Sequence, residues 1–146
     1  MLIGIPAAIG PELLSLLDRM GHGDELVLGD AFFTGESLNS RVLRADGVRI
    51  TDLLDGILTL INLDDYDKAP VIMMQPVPGD DLDLKLERSY RETIERHWPQ
   101  TPPIVRLERF AFYERARKAF AVVITGETAK YGNIILKKGV IPLTKK

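Results

Sequence analysis

The chain has 146 residues, of which 45 % are apolar and 27 % charged, and its formal net charge is −2. This length and composition predict one soluble globular domain rather than a disordered chain. The small negative charge argues against a nucleic-acid-binding protein, which normally carries a basic face. Because cysteine is absent, disulfides, thiolate metal sites and a cysteine nucleophile are excluded.

The amino-terminal segment from Met1 to Ile9 is apolar, but no basic residues precede it and Pro6 interrupts it. It therefore does not resemble a signal peptide. No apolar run in the chain approaches the length of a membrane span. We expect a cytoplasmic protein that has no membrane partner.

Apolar residues at helical spacing predict two helices in the first half of the chain. The first begins at Pro11 and ends at Gly21, since proline suits a first helical turn and glycine a helix end. The second begins near Thr51 as N-cap. Between them, a short strand runs from Glu25 to Leu28 and ends at Gly29-Asp30, and residues 32–39 have the composition of a loop.

The second half alternates between strands and helices. We expect strands at Ala69–Gln75, Ile104–Leu107, Phe120–Ile124 and Asn133–Leu136, a turn-rich loop at Pro76–Asp81, and helices at about Asp83–His97 and at Phe110–Lys118. The last two strands are candidates for neighbours. Alternation of this kind predicts an α/β fold, here a single compact domain in which helices flank a mixed sheet.

Two histidines are candidates for acid–base chemistry. His22 lies between two glycines on a predicted loop, where its ring is uncrowded, and a histidine pKa near 6.5 suits proton transfer at neutral pH. The alternative is a polar loop histidine without a role. His97 ends a polar helix, where a cation is favourable for electrostatic reasons alone.

Three further segments contain groups that suit a polyol. Asp30 closes a strand, and carboxylates at strand ends of α/β folds often face the ligand. Arg109 and the segment Tyr131-Gly132-Asn133 offer donors and acceptors for hydroxyl groups. Each also has an ordinary interpretation: a turn aspartate, an arginine packed on aromatic residues at a helix start, and a Gly-Asn turn.

Several motifs are absent from the sequence. It contains no glycine-rich nucleotide loop, no His-Glu-x-x-His zinc motif and no Gly-x-Ser-x-Gly nucleophile elbow. The acidic stretch from Asp80 to Asp83 is interpreted as a solvated turn rather than a calcium loop. We therefore expect neither a metal nor another cofactor.

Taken together, several segments carry a family resemblance over nearly the whole chain. They are Pro11–Leu14, Met20–Glu25, Arg44–Gly47, Leu63–Tyr66, Arg109–Ala116, Lys118–Val123, Thr125–Glu127 and Tyr131–Val140. In their order and spacing the chain resembles the fucose mutarotase branch of the ribose pyranase/fucose mutarotase family. Arginine at position 109 favours this branch, because the ribose branch has histidine there.

The resemblance implies a cofactor-free enzyme that interconverts the anomers of L-fucose or a related monosaccharide. It also implies a compact α/β fold and a homo-oligomeric ring, commonly a decamer, with sites near subunit interfaces. His22 matches the family's proton donor, and Tyr131 is the candidate second acid/base group or hydrogen-bond donor. The residues that match sugar contacts are Asp30, Asp64, Arg109, Tyr113 and Asn133.

After Asp30 the chain departs from the fucose branch, because Phe32 replaces a polar residue and Thr34 replaces a proline. If this loop borders the pocket, the sugar preference changes; Phe32 and Phe33 are otherwise expected at a subunit contact. Two alternatives to an enzyme remain open, a non-catalytic monosaccharide-binding or transport-accessory protein and a structural ring protein with a vestigial site.

Overall fold

The computed structural model describes residues 1–142. Its helices are α1 (Pro11–Arg19), α2 (Gly35–Leu38), α3 (Ile50–Leu60), α4 (Leu84–His97) and α5 (Arg109–Lys118). Its strands are β1 (Glu25–Gly29), β2 (Val42–Ala45), β3 (Val71–Met74), β4 (Val105–Leu107), β5 (Ala121–Thr125) and β6 (Ile134–Lys137). No helix of this region is long and apolar enough to cross a membrane.

The strands form one sheet in the order β2-β5-β1-β6-β3-β4. The pairs β2·β5, β1·β5 and β3·β4 are parallel, whereas β6 is antiparallel to both of its neighbours, β1 and β3. The first five strands therefore all end at one edge of the sheet, and β6 begins at that same edge.

Helices cover both faces of the sheet. α1, α3 and α4 pack on one face around Leu26, Leu28 and Met73, and α2 and α5 pack on the other around Val27 and Ile135. Because both faces are buried, the central strands read as continuous apolar runs without polar alternation. The predicted α/β fold, a compact domain with a mixed sheet flanked by helices, is confirmed.

Side-chain caps fix the starts of two helices beside the sheet edge. The Asp83 carboxylate accepts a hydrogen bond from the Lys85 N–H at 2.9 Å and begins α4. The Glu108 carboxylate accepts from the N–H groups of Phe110 and Ala111 and begins α5. These bonds hold the pKa of Glu108 below its ordinary value. The cap at Glu108 places Arg109 at the first position of its helix.

Several predictions about the elements were wrong. β5 and β6 are not neighbours, because β1 lies between them; the connection from Gly126 to Asn133 is longer than a hairpin loop and crosses the end of β1. Residues 32–39 contain the short helix α2, and β2 was missed because it is a half-exposed edge strand without clear alternation.

The start of α3 was also misplaced. The helix begins at Ile50 with Arg49 as N-cap, so Thr51 lies inside the first turn. Ile50, the first residue of α3, is fully buried. The helix therefore begins at a packed apolar residue, without a side-chain cap. The predicted single domain of residues 1–146 includes residues 143–146, which lie outside the described residues.

Candidate functional site

The edge at which β1 to β5 end carries most of the predicted site. Asp30 directly follows β1, and Arg109 lies just past the end of β4. Tyr131 and Asn133 precede β6, which begins at this edge because it runs antiparallel. Loops at the carboxyl ends of parallel strands are where α/β folds bind ligands. The topology thus brings together four residues that are far apart in the sequence.

These residues line an open cleft of about 550 Å³, a size typical of small-molecule sites. Its lining combines polar groups with aromatic rings, which suits a ligand that has both hydroxyl groups and C–H faces. The lining consists of Asp30, Phe32, Phe33, Thr34, Met74, Val77, Asp80, Arg109, Tyr113, Thr128, Lys130, Tyr131 and Asn133.

Asp30 and Asn133 are both buried, and a hydrogen bond joins the Asp30 backbone to the Asn133 side chain. The Asp30 N–H donates to Asn133 Oδ1 at 2.7 Å, and the Asp30 carboxylate accepts from the Phe32 N–H at 2.9 Å. Burial raises the pKa of Asp30, and nearby Glu127 raises it further, although backbone hydrogen bonds oppose both. With its Oδ1 engaged, the Asn133 amide can offer its N–H groups to a ligand.

Tyr131 is held in an unusual conformation. It has a φ of 58°, the only positive φ at a non-glycine residue among residues 1–142, a region that side chains rarely adopt. Its hydroxyl donates to Asp80 Oδ2 at 2.5 Å and accepts from the Val77 N–H at 3.2 Å. The bond to Asp80 raises the pKa of the Tyr131 phenol. The phenol is therefore fixed from two sides at the cleft.

Arg109 lines the cleft and has no carboxylate partner among the described residues. Its guanidinium lies 4.6 Å from the centre of the Phe110 ring, and its buried Nε makes no hydrogen bond within the described chain. No ion pair of Arg109 is found among residues 1–142. The packing on an aromatic ring is therefore observed, and the contact of Arg109 with a ligand stays a prediction.

The loop after Asp30 borders the cleft. This is the position in which the departures at Phe32 and Thr34 are expected to affect the sugar preference. Phe33 packs edge-on against Phe112 and lies 6.1 Å from the Tyr113 ring, within its own chain. A Cβ at Gly29 would lie 2.6 Å from the Phe33 ring, so only glycine permits this packing. Phe32 is 78 % exposed and is free to contact a ligand or a second copy.

His22 and Asp64 lie at the opposite edge of the sheet. His22 Nε2 is 2.9 Å from Asp64 Oδ1, and the Asp64 side chain is only 3 % exposed. Burial alone would raise the pKa of Asp64, but hydrogen bonds from His22 and from the N–H groups of Asp67 and Tyr66 outweigh it and lower the pKa. The Tyr66 ring lies 5.4 Å from the imidazole. This arrangement orients His22 and leaves its ring half-exposed.

Within one chain, His22 and the cleft are separated by the length of β1. His22 precedes this five-residue strand and Asp30 follows it, so about 16 Å of strand lies between them. The structure therefore brings Asp30, Arg109, Tyr113, Tyr131 and Asn133 together but leaves His22 and Asp64 outside that group.

Sequence reasoning missed Asp80 and Lys130 as cleft residues. Asp80, Asp81 and Asp83 are exposed, as expected of a solvated stretch, but the Asp80 carboxylate also accepts a hydrogen bond from the Tyr131 hydroxyl. Asp80 lies on the loop that follows β3, so the strand-end rule applied to Asp30 also predicts its position. No group of three or more metal-ligating side chains is arranged to hold an ion within the described part of the chain.

Comparison with known proteins decides the family. The model of the RbsD / FucU transport protein family matches residues 3–141. The chain belongs to the RbsD/FucU family. Among its RbsD/FucU relatives, the L-fucose mutarotase of Histophilus somni is 58 % identical and that of Actinobacillus pleuropneumoniae 57 %, each over 98 % of this chain and 99 % of the relative.

A solved structure of the RbsD/FucU family has the same architecture. The fucose mutarotase of Streptococcus pneumoniae, solved in complex with L-fucose, superposes with a TM-score of 0.92 at 48 % identity. The match covers 96 % of this chain and 99 % of that one. The resemblance to the fucose branch of the RbsD/FucU family is confirmed.

Proposed function

We propose that this protein is an L-fucose mutarotase, which interconverts the α and β anomers of the sugar by general acid–base catalysis. The observation that carries the proposal is the cleft at the strand ends, where Asp30, Arg109, Tyr131 and Asn133 converge. Relatives more than half identical over nearly the whole chain have the same name. L-Fucose is the ligand in the structure of the Streptococcus pneumoniae relative.

Mutarotation opens the hemiacetal ring and closes it on the other face. Opening removes a proton from the anomeric hydroxyl O1 and delivers one to the ring oxygen O5, and closing reverses both transfers. In the proposed site, Asp30 accepts hydrogen bonds from sugar hydroxyls, while Asn133 and Arg109 donate to them. Tyr113 contributes a further contact, and the Tyr131 hydroxyl contacts O1.

His22 is the proposed proton donor to O5. Because it lies at the far end of β1 from the cleft of its own chain, the proposal requires that a second copy of the chain present its His22 to this cleft. The half-exposed imidazole is accessible for such a contact. A ring assembly provides a copy at each cleft, and the decamer expected from the resemblance is one such ring.

Asp64 is assigned to His22 rather than to the sugar. Its buried carboxylate accepts a hydrogen bond from the imidazole, which fixes the tautomer and direction of the ring, as a carboxylate partner does for many catalytic histidines. The earlier expectation of a direct sugar contact at Asp64 becomes the proposal that Asp64 positions the proton donor.

Saturation transfer between the anomeric NMR signals of L-fucose tests the activity. The parent protein is expected to accelerate exchange, and His22→Gln to lower the rate by about 10²–10⁴-fold. His97→Gln is the matched control, because His97 is bonded to Asp55 on the α3–α4 side and is expected to leave the rate unchanged. Sugar signals that shift without faster exchange would indicate a non-catalytic sugar-binding protein instead.

The assembly and location have their own tests. Light scattering coupled to size exclusion measures the number of copies in the proposed ring. Cell fractionation tests the proposed cytoplasmic location. A monomer at working concentration would contradict the shared site.

A further inference from the structure

The pair formed by Tyr131 and Asp80 limits what the phenol can do in the cleft. A tyrosine hydroxyl has one proton to donate and two acceptor positions. In this structure the proton is directed to Asp80 Oδ2 at 2.5 Å, and one acceptor position is taken by the Val77 N–H at 3.2 Å. The free position is an acceptor, so a sugar hydroxyl in the cleft donates to Tyr131.

An unassisted phenol is a poor acceptor for that proton, because its conjugate acid is far too strong to persist near neutral pH. A phenol that passes its own proton onward at the same time avoids this state. The Asp80 carboxylate lies at the distance and on the side that such a transfer requires. Asp80 also lines the same cleft as Asp30 and Arg109, so the relay begins and ends within the site.

We propose that Asp80 is the terminal proton acceptor of the reaction and that Tyr131 relays the proton to it. The inference deepens the proposed function and rests on it. In this proposal the Asp80 carboxylate accepts the proton from O1, a step that the Tyr131 phenol performs poorly alone.

The transfers balance over one ring opening. The O1–H proton moves to the Tyr131 oxygen as the Tyr131 proton moves to Asp80 Oδ2, and the O1 electron pair forms the C1=O1 bond. The C1–O5 bond breaks, and its electron pair takes a proton on O5 from the acid at His22. Reclosing on the other face returns both protons, so Asp80 and His22 end as they began.

The geometry around Tyr131 supports a relay of fixed direction. Its positive φ and the bond from the buried Tyr90 hydroxyl to the Gly132 carbonyl at 2.8 Å hold the segment before β6 in place. On this fixed backbone, the hydrogen bonds with Asp80 and with the Val77 N–H orient the phenol, with its proton on the Asp80 side.

The test is Asp80→Asn, measured by L-fucose exchange at saturating and limiting sugar. The amide oxygen still accepts the Tyr131 hydrogen bond but cannot take the proton, so the maximal exchange rate is expected to fall by about 10²-fold. Since the sugar contacts remain, the KM is expected to change by less than about 3-fold. Asp81→Asn removes the adjacent exposed carboxylate and is the matched control, with exchange as in the parent.

A double variant separates a relay from a structural effect. In a Tyr131→Phe background, Asp80→Asn is expected to cost no further activity, because the relay is already broken. A parent-like maximal rate in Asp80→Asn, a loss confined to KM, or additive losses in the double variant would each overturn the role of Asp80. If the parent protein itself does not accelerate L-fucose exchange, the proposed function fails as well, and this outcome is distinguished before any variant is made.

Discussion

Replacement of Asn133 by alanine is expected to have two separable effects, one on stability and one on sugar binding. Asn133 is 5 % exposed, and its Oδ1 is the acceptor for the buried Asp30 N–H at 2.7 Å. Alanine leaves that N–H without a partner and also removes the amide donor that faces the cleft. The two losses arise from opposite ends of the same amide.

The magnitudes follow from these contacts. A buried N–H left without a partner costs about 1–3 kcal/mol of the free energy of unfolding, and a chain of this size loses roughly 2–4 °C of Tm per kcal/mol. Loss of one hydrogen bond to a sugar hydroxyl costs about 0.5–1.5 kcal/mol, which is roughly a 2–12-fold rise in the Kd for L-fucose. Thermal unfolding followed by circular dichroism gives the first value, and calorimetric titration gives the second.

Asn39→Ala is the control, because Asn39 bonds to the Ala116 and Ala119 carbonyls outside the cleft at 3.0 and 2.9 Å. It is expected to lower Tm but to leave the Kd for L-fucose unchanged. If Asn133→Ala binds L-fucose as tightly as the parent, its amide does not face the sugar, and the proposed geometry of the cleft is wrong.

Three further substitutions test the site from other directions. Because the pKa of Asp30 is raised mainly by burial, its ionisation destabilises the folded state as the pH rises above the ordinary pKa of 3.8. Asp30→Asn is therefore expected to raise Tm at about pH 7 and to give no gain at a pH below 3.8. Thermal unfolding at these two pH values measures the difference. Gly29→Ala places a Cβ 2.6 Å from the Phe33 ring and is expected to cost about 1–3 kcal/mol in urea unfolding. Asp64→Asn releases the His22 ring and is expected to slow L-fucose exchange by roughly 10-fold or more in the NMR assay, at unchanged sugar affinity.

Each of these has a control in the same chain. Glu36→Gln removes an exposed carboxylate, Gly47→Ala adds a Cβ that meets nothing within 4 Å, and Asp65→Asn changes the exposed neighbour of Asp64. A lower Tm for Asp30→Asn at neutral pH would contradict the stated effect of burial. A stable Gly29→Ala protein, or an Asp64→Asn protein with parental exchange, would refute the corresponding contact.

Local signals predicted the central strands and four of the five helices that the structure describes, all but the short α2. The stripe that ends at Met20 and the continuous apolar run of β3 are read directly from the sequence, since burial on one helix face or on both sheet faces leaves a clear pattern. The edge strand β2 was missed because half-exposed residues carry no such pattern. Strand order is a long-range property, and neighbouring position in the sequence wrongly suggested that β5 pairs with β6.

The site was predicted in part for the same reason. Asp30 and Arg109 follow strands, and a local rule locates such residues. The sequence did not reveal that the loop before β6 crosses the end of β1, which is what places Tyr131 next to Asp80. Nor does the order of residues along the chain show that His22 lies at the opposite edge of the sheet, because this requires the direction of β1 relative to the cleft.

The most direct test of the shared site combines two variants that fail for different reasons. His22→Gln retains the cleft, and Tyr131→Phe retains the proton donor, so each is expected to be nearly inactive alone. When the two chains are produced together in one assembly, about one site in four is expected to pair an intact His22 with an intact cleft, and L-fucose exchange recovers to about a quarter of the parental rate. Exchange that stays at the mean of the two separate variants would contradict a site built from two copies.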